Sequence, residues 1–161
     1  MKIIVAVDEN WGIGRDNGLL AHIPGDLKYF KETTLGKVVV MGRKTLESLP
    51  QAKPLPGRTN LVISSDKDYQ PGCPVYHSLE ELFQALEAYN SEDVYIVGGA
   101  RVYEELFDCC DTYFVTKIQR AFPADRYFRN LDQCQELELV WEGPVQEYQG
   151  LTYQFTEYRR K

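Results

Sequence analysis

Three short stretches of the chain bring small, hydroxylated and basic residues together: Gly42-Arg43-Lys44-Thr45, Ser64-Ser65-Asp66-Lys67 and Gly98-Gly99-Ala100-Arg101. Each follows an apolar run that reads as a buried strand, and two of them open a helix. In open α/β sheets, ligands bind beyond the carboxyl ends of the strands. A helix N-terminus there offers free N–H groups and a positive dipole end, and glycine lets the backbone approach a bulky anion. Any one stretch alone favours an ordinary βα turn; the three together read as a nucleotide site. Neither GxGxxG nor GxxxxGK[ST] occurs, so there is no standard dinucleotide fingerprint and no P-loop. Arg43, Lys44, Lys67 and Arg101 beside serine hydroxyls suit a ribose 2′-phosphate, hence NADP over NAD. Asp66 and Asp68 weaken that preference.

Asp26 is the second feature. It lies in His22-Ile23-Pro24-Gly25-Asp26-Leu27, where a helix is expected to start, on one face with Phe30. A carboxylate beside an apolar wall is either a helix cap or a site residue, and the residue types alone favour the cap. Burial would raise its pKa and the helix N-terminus would lower it. His22 and His77 have no metal-ligand spacing and read as solvated loop residues. Trp11 reads as a ligand cover or a packing residue, and Arg159-Arg160-Lys161 as a solvated end.

The elements that must position these residues alternate between strand-like and helix-like patterns, which argues for an α/β fold with a largely parallel sheet. Strands are expected at 2–8, 37–41, 59–63, 74–76, 93–97 and 111–118. A long loop spans 9–24, and a helix runs from Gly25 to Leu35 with Leu27, Phe30 and Thr34 inward. A short helix reaches Leu49. Ser78-Leu79-Glu80-Glu81 is a capping box, and Leu79, Leu82, Phe83 and Leu86 share the face behind it. Another helix carries Val102, Tyr103 and Leu106, and 135–142 with 151–158 read as a C-terminal antiparallel hairpin.

Composition sets the class. The 161 residues are 43% hydrophobic and 26% charged, ordinary for a globular domain and wrong for a disordered tail or a fibre. The net charge of −6 argues against non-specific nucleic-acid binding but not against a local basic pocket. No apolar run approaches the ~18 residues of a membrane span. MKIIVAVDENWG is broken by charge too early for a signal peptide. Cys73, Cys109, Cys110 and Cys134 lack zinc or CxxC spacing and read as reduced thiols of a cytosolic protein. One domain over 1–161 is expected, with 37–90 as a lobe for a cofactor's adenosine end.

The order of the motifs adds to this reading. Ile13-Gly14, Ile23-Pro24-Gly25-Asp26-Leu27 with Phe30, Met41-Gly42-Arg43-Lys44-Thr45-Leu46-Glu47-Ser48, Pro54-Leu55-Pro56-Gly57-Arg58 and Gly98-Gly99-Ala100-Arg101-Val102-Tyr103 together resemble the bacterial dihydrofolate reductases. The resemblance runs from the first strand to the last hairpin. It implies reduction of 7,8-dihydrofolate to tetrahydrofolate with NADPH, in support of one-carbon and thymidylate metabolism, by a target of antifolates. It implies a mostly parallel eight-stranded sheet flanked by four helices with the C-terminal hairpin. It further implies a cytoplasmic monomer without metal, nucleic-acid or membrane partners.

By the same resemblance Asp26 is the ionisable residue of the pterin pocket, supported by Thr116. An ionised carboxylate only accepts, so it can take a pterin N–H and amino group together. Val5, Ala6, Leu27, Phe30, Leu49, Leu55, Val97 and Tyr103 would complete the substrate slot, and Arg58 would hold the α-carboxylate of the glutamate tail. Arg43, Lys44 and Ser64 would face the adenosine phosphate; Thr45, Gly98, Gly99, Ala100, Arg101 and Val102 the pyrophosphate; Ala6, Ile13 and Gly14 the nicotinamide. Gly42, Ile63 and Ser65 complete the cofactor path. Gly98-Gly99 matches a cis peptide, and the loop from Glu9 to Ile23 a mobile cover. One departure stands out: Ala21 occupies a position where the family usually has Trp. A water-holding indole and an apolar wall are absent, which implies a roomier pocket. Two rival readings stay open on residues alone: another reductase on a similar scaffold, such as one acting on a riboflavin precursor, and a non-catalytic binder of pterin or NADPH.

Overall fold

The structure is a computed structural model that describes every residue except Asn17. Along the chain the strands and helices are β1 (Lys2–Val7), β2 (Gly12–Gly14), α1 (Pro24–Thr34), β3 (Val38–Gly42), α2 (Arg43–Glu47), β4 (Thr59–Ile63), β5 (Val75–Tyr76), α3 (Leu79–Leu86), β6 (Val94–Gly98), α4 (Ala100–Leu106), β7 (Thr112–Ile118), β8 (Arg126–Tyr127), β9 (Leu137–Glu142), β10 (Gln146–Tyr148) and β11 (Leu151–Arg160). The main sheet runs β10-β11-β7-β1-β6-β3-β4-β5, with β9 also on β11. Strands β7, β1, β6, β3, β4 and β5 are parallel, and only the pairs made by β11 are antiparallel. Val39, Val40 and Met41 of β3 are fully buried, the continuous apolar run of a parallel strand covered on both faces.

The sheet has nine strands where eight are expected, yet it is eight positions wide. β11 is long enough to pair with β10 through Leu151–Tyr153 and with β9 through Thr156–Arg160, so two strands share one edge. The expected C-terminal hairpin is therefore interrupted by a short extra strand. The expected loop 9–24 also holds β2, which pairs with β8 in a separate two-stranded sheet. Three residues with a register break carry no periodicity to read.

Several local expectations are corrected. Ser78 Oγ accepts from Glu81 N at 3.1 Å as a capping box requires, but the Glu81 carboxylate accepts from His77 N at 2.8 Å, one residue earlier than the usual return bond. On α3, Leu82 is fully buried whereas Phe83 stands at the exposed margin of that face. For Trp11 the packing reading is the one observed: the ring is in the core, stacked on Phe128 with Lys117 over it. Arg160 is not a solvated end: its guanidinium donates to the Cys110 and Phe107 carbonyls and to Tyr113 Oη.

Asp8, 3% exposed, ends β1 and ties two loops to it. Its Oδ1 accepts from Asn10 N at 2.8 Å and Gly12 N at 2.7 Å, and its Oδ2 from Phe122 N at 2.9 Å. Asp8→Ala is expected to leave these donors unpaired and to cost about 2–3 kcal/mol, or roughly 5–10 °C in a thermal melt. A melt within 2 °C of wild type would sink this account.

Candidate active site

α1 begins with Pro24 in its first turn after an extended Ile23, and no side chain caps it. Asp26 is therefore not the cap. Its Oδ1 instead accepts from Thr116 Oγ1 at 2.7 Å, reaching across to β7. Thr116 is buried and lies in register between Ala6 of β1 and Phe155 of β11, over the middle of the sheet. Gly25 makes this approach possible, because a Cβ there would sit 2.3 Å from the Tyr153 hydroxyl. Burial raises the Asp26 pKa above the ordinary carboxylate value, and the Thr116 bond offsets part of that rise.

Leu27 and Phe30 sit beside Asp26 on α1; Leu27 is 44% exposed, unusual for a leucine on a helix against a core. Arg58 reaches back to the same helix. Its Nη1 donates to Thr34 Oγ1 at 3.3 Å and its Nε to Pro56 O at 3.0 Å. Burial lowers its pKa, and it makes no ion pair among the described residues. Leu49 and Leu55 pack with Val97 on the cluster of Val39, Met41, Leu46 and Val62. Ala21 packs on the cluster of Ile23, Ile118, Leu151 and Tyr153, which Ala6, Phe122 and Phe155 also flank.

Beyond the carboxyl ends of β1, β3, β4 and β6 lies a cavity of about 860 Å³. Because these strands are parallel, their ends share one edge of the sheet. The cavity wall holds Ala6, Ile13, Gly14, Gly42, Arg43, Lys44, Thr45, Ile63, Ser64, Ser65, Gly98, Gly99, Ala100, Arg101 and Val102 of the expected cofactor path, but not Lys67, which is expected with them. Of the expected substrate residues, Val5, Ala6, Val97 and Tyr103 line it. Asp26, Leu27, Phe30, Leu49, Leu55, Arg58 and Thr116 do not; Thr116, with Asp26 bonded to it, adjoins the cavity through its register partner Ala6, and Leu49 and Leu55 pack in one cluster with the cavity residue Val97.

The walls suit an extended dinucleotide. A Cβ on Gly42 would lie 3.1 Å from Val102 Cγ2, and one on Gly98, whose φ is +133°, would lie 3.2 Å from Thr45 Oγ1 and strain the backbone. The Gly98–Gly99 peptide is cis. α2 and α4 both start at the cavity without side-chain caps, leaving backbone N–H donors for an anion.

The wall also holds residues outside the sequence expectation, among them Arg15, Leu19, Ser48, Asp66, His77, Ser78 and Arg126. His77 is not a solvated loop residue: its Nδ1 lies 2.8 Å from Ser64 O. The strand-end rule, applied to β5 as it was to β3, β4 and β6, points to His77 and Ser78. Arg43 is not free to meet a ligand alone, since it donates to Glu47 at 3.1 Å and Asp66 at 2.6 Å and stacks on Tyr69.

Comparison with known proteins bears on this geometry. The family model described as dihydrofolate reductase matches residues 1–160. Dihydrofolate reductase of Bacillus subtilis (strain 168) is 38% identical over 100% of this chain and 95% of its own, and that of Neisseria gonorrhoeae 39% identical over 100% and 98%. A solved structure of dihydrofolate reductase from Enterococcus faecalis, complexed with NADP(H) and RAB-propyl, superposes with a TM-score of 0.88 at 35% identity, covering 99% of this chain and 95% of that one. A family match over nearly all residues, joined to a strand-end cavity beside the Asp26–Thr116 pair, places the chain: it belongs to the dihydrofolate reductase family.

Proposed function

We propose that the cavity and the Asp26 region work as two halves of one reductase site, with the residue roles that follow. The chain is an NADPH-dependent oxidoreductase that converts 7,8-dihydrofolate to 5,6,7,8-tetrahydrofolate. The observation that carries the assignment of roles is the buried Asp26–Thr116 hydrogen bond beside a phosphate-suited cavity. Bound in that cavity, NADPH supplies the hydride.

The protein's own part is placement. Thr116 occupies one lobe of Asp26 Oδ1 and fixes the carboxylate plane. The remaining lone pairs accept the paired N–H and amino donors of a pterin, which orients the ring. Asp26 raises the basicity of the ring while water delivers the proton. Leu27, Phe30, Leu49 and Leu55 exclude water around the ring and its benzoyl group. Arg58, whose Nη2 has no hydrogen-bond partner among the described residues, would present its outer fork to the glutamate α-carboxylate. Thr45 and the turn Gly98–Val102 would hold the pyrophosphate, and Ala6, Ile13 and Gly14 would face the nicotinamide. Rival reductases of similar scaffold have no use for Asp26 and Arg58 in these positions.

NADPH oxidation with dihydrofolate, run beside an NADH control, tests the reading. Turnover that prefers NADPH is expected; saturable binding of both ligands without turnover would make the chain a binder instead. Ala21→Trp bears on the pocket's width. The indole should remove space beside Ile23 and Tyr153 and change the affinity of a pterin-competitive inhibitor by at least about fivefold. Unchanged binding would mean that the side chain at position 21 does not face the pterin.

We further infer a single domain over 1–161, with 37–90 holding the adenosine end, since one sheet runs unbroken from β10 to β5. The net charge of −6 supports the absence of a nucleic-acid partner, and family membership suggests a cytoplasmic monomer without membrane partners. Among the described residues no helix is long and apolar enough to cross a membrane.

A further inference from the structure

We propose that Asp8 is a positioning residue for hydride transfer. Its two carboxylate oxygens fix β2, which faces the nicotinamide, against the segment that seats the pterin-binding helix α1. The inference rests on the reductase reading above, with Ile13 and Gly14 at the nicotinamide. Asp8 itself lies outside the cavity wall; it is 3% exposed and stands two residues after the wall residue Ala6.

One oxygen serves the first loop. Oδ1 accepts from Asn10 N at 2.8 Å and from Gly12 N at 2.7 Å. The backbone of the same residue adds Asp8 N to Gly12 O and Trp11 N to Asp8 O, both at 3.0 Å. These bonds hold a turn in which Trp11 takes a φ of +62°, which a non-glycine residue rarely adopts. A Cβ on Gly12 would lie 3.1 Å from both carboxylate oxygens and 2.7 Å from Ala124 Cβ, so the backbone packs directly on the carboxylate. Ile13 and Gly14, which follow, are on the cavity wall.

The other oxygen serves the second loop. Oδ2 accepts from Phe122 N at 2.9 Å, and Glu9 N donates to Arg120 O at 3.1 Å beside it. Phe122 packs on the cluster of Ile23, Ile118, Leu151 and Tyr153. Ile23 is the last residue before α1, three positions from Asp26. The same segment returns to the cavity side, where Asp125 N donates to Gly14 O at 2.9 Å. Asp8 thus joins the residues that face the hydride donor to those that seat its acceptor. A carboxylate suits this task because each oxygen accepts independently. An amide has one acceptor oxygen, and its NH2 group meets the remaining N–H donor to donor.

The distance between the reacting rings is where such a link matters. Misplacing reacting atoms by about 1 Å can cost about a hundredfold in rate. Ligand affinity is far less sensitive to Asp8, because the Asp26–Thr116 pair and the phosphate-facing turns are built without it.

The test compares wild type, Asp8→Asn, Asp8→Ala and Leu137→Ala, the last a buried leucine of the outer strand β9. Amide hydrogen exchange of the cofactor-free proteins comes first. In Asp8→Asn the amide of one loop, Gly12 or Phe122, should exchange at least about tenfold faster while the other holds. Protection of both overturns the bridge. Hydride transfer is then followed in single turnovers, with NADPH deuterated at the transferred position, at a temperature where every variant is folded. Asp8→Asn and Asp8→Ala should both slow the isotope-sensitive step by about ten- to a hundredfold, with affinities for dihydrofolate and for adenosine 2′,5′-bisphosphate within about twofold of wild type. Leu137→Ala should melt about as low as Asp8→Ala yet keep the wild-type rate within about twofold. Asp8→Asn carries the comparison should Asp8→Ala not fold. Slowing that simply follows melting temperature across the series makes Asp8 a structural residue only and overturns the proposal. A wild-type rate in Asp8→Asn with one loop released does the same. A wild type that binds both ligands without turnover removes instead the reductase reading, and this inference with it.

Discussion

Asp26→Asn is expected to lower kcat/KM for dihydrofolate by roughly two to three orders of magnitude and to raise the melting temperature by a few degrees. Both effects follow from burial. The carboxyl is desolvated, and its pKa is raised despite the Thr116 bond. A carboxyl more readily protonated folded than unfolded stabilises the native state at low pH. That contribution disappears as pH rises from the ordinary value through the raised one. Above both values the folded protein carries an ionised, partly desolvated carboxylate. Asn keeps the shape and an acceptor for Thr116 but has no charge to desolvate, so the variant gains stability above that window. It loses the acceptor-only oxygen pair that a pterin needs. The wild-type rate should rise with pH through the raised Asp26 value, and the residual rate of the variant should not. A variant melting at or below wild type would refute the desolvation argument; near-wild-type turnover would refute the role of the carboxylate.

Arg58→Lys should weaken binding of dihydrofolate by about 30–100-fold, the size of a lost charge-assisted fork. The guanidinium is held from behind by Pro56 O and Thr34 Oγ1, so its outer edge is preset for a planar acid. An ammonium has no such edge. The contrast with a pteridine lacking the glutamate tail is the decisive comparison, because its binding should change by less than about threefold. Equal losses for both ligands would mean that Arg58 acts by supporting α1 through Thr34.

Much of this architecture is legible in residue order. Continuous apolar runs such as Val38–Met41, short and rich in β-branched residues, read as strands covered on both faces, and the glycines, serines and cations after them mark the sheet edge where the cavity lies. What local pattern does not reveal is tertiary choice. Asp26 has the type and position of a cap, and only the arrival of Thr116 from a distant strand gives its carboxylate another partner. Arg43 reads as a phosphate ligand, while its engagement by Asp66 depends on how two strand ends meet. β2, β8 and β10 are too short for any periodicity to register. Ala21 is visible as a departure from family pattern, but its apolar surroundings come from four separate segments.

β1 is the first strand of the chain and lies inside the sheet, where Lys2 is in register with Tyr95 on one side and Thr112 on the other. During synthesis, the segment Ile-Ile-Val-Ala-Val therefore waits without a neighbour until more than half of the polypeptide has been made. The antiparallel strand β11, which completes the other side of β7, is made later still. Such a fold has high contact order: nearly all the loop-closure entropy is spent before the central pairings form. Folding is consequently a whole-chain event rather than a progressive one from the N-terminus. The interval before it is when an unpaired apolar strand is most exposed to aggregation and most in need of chaperone cover.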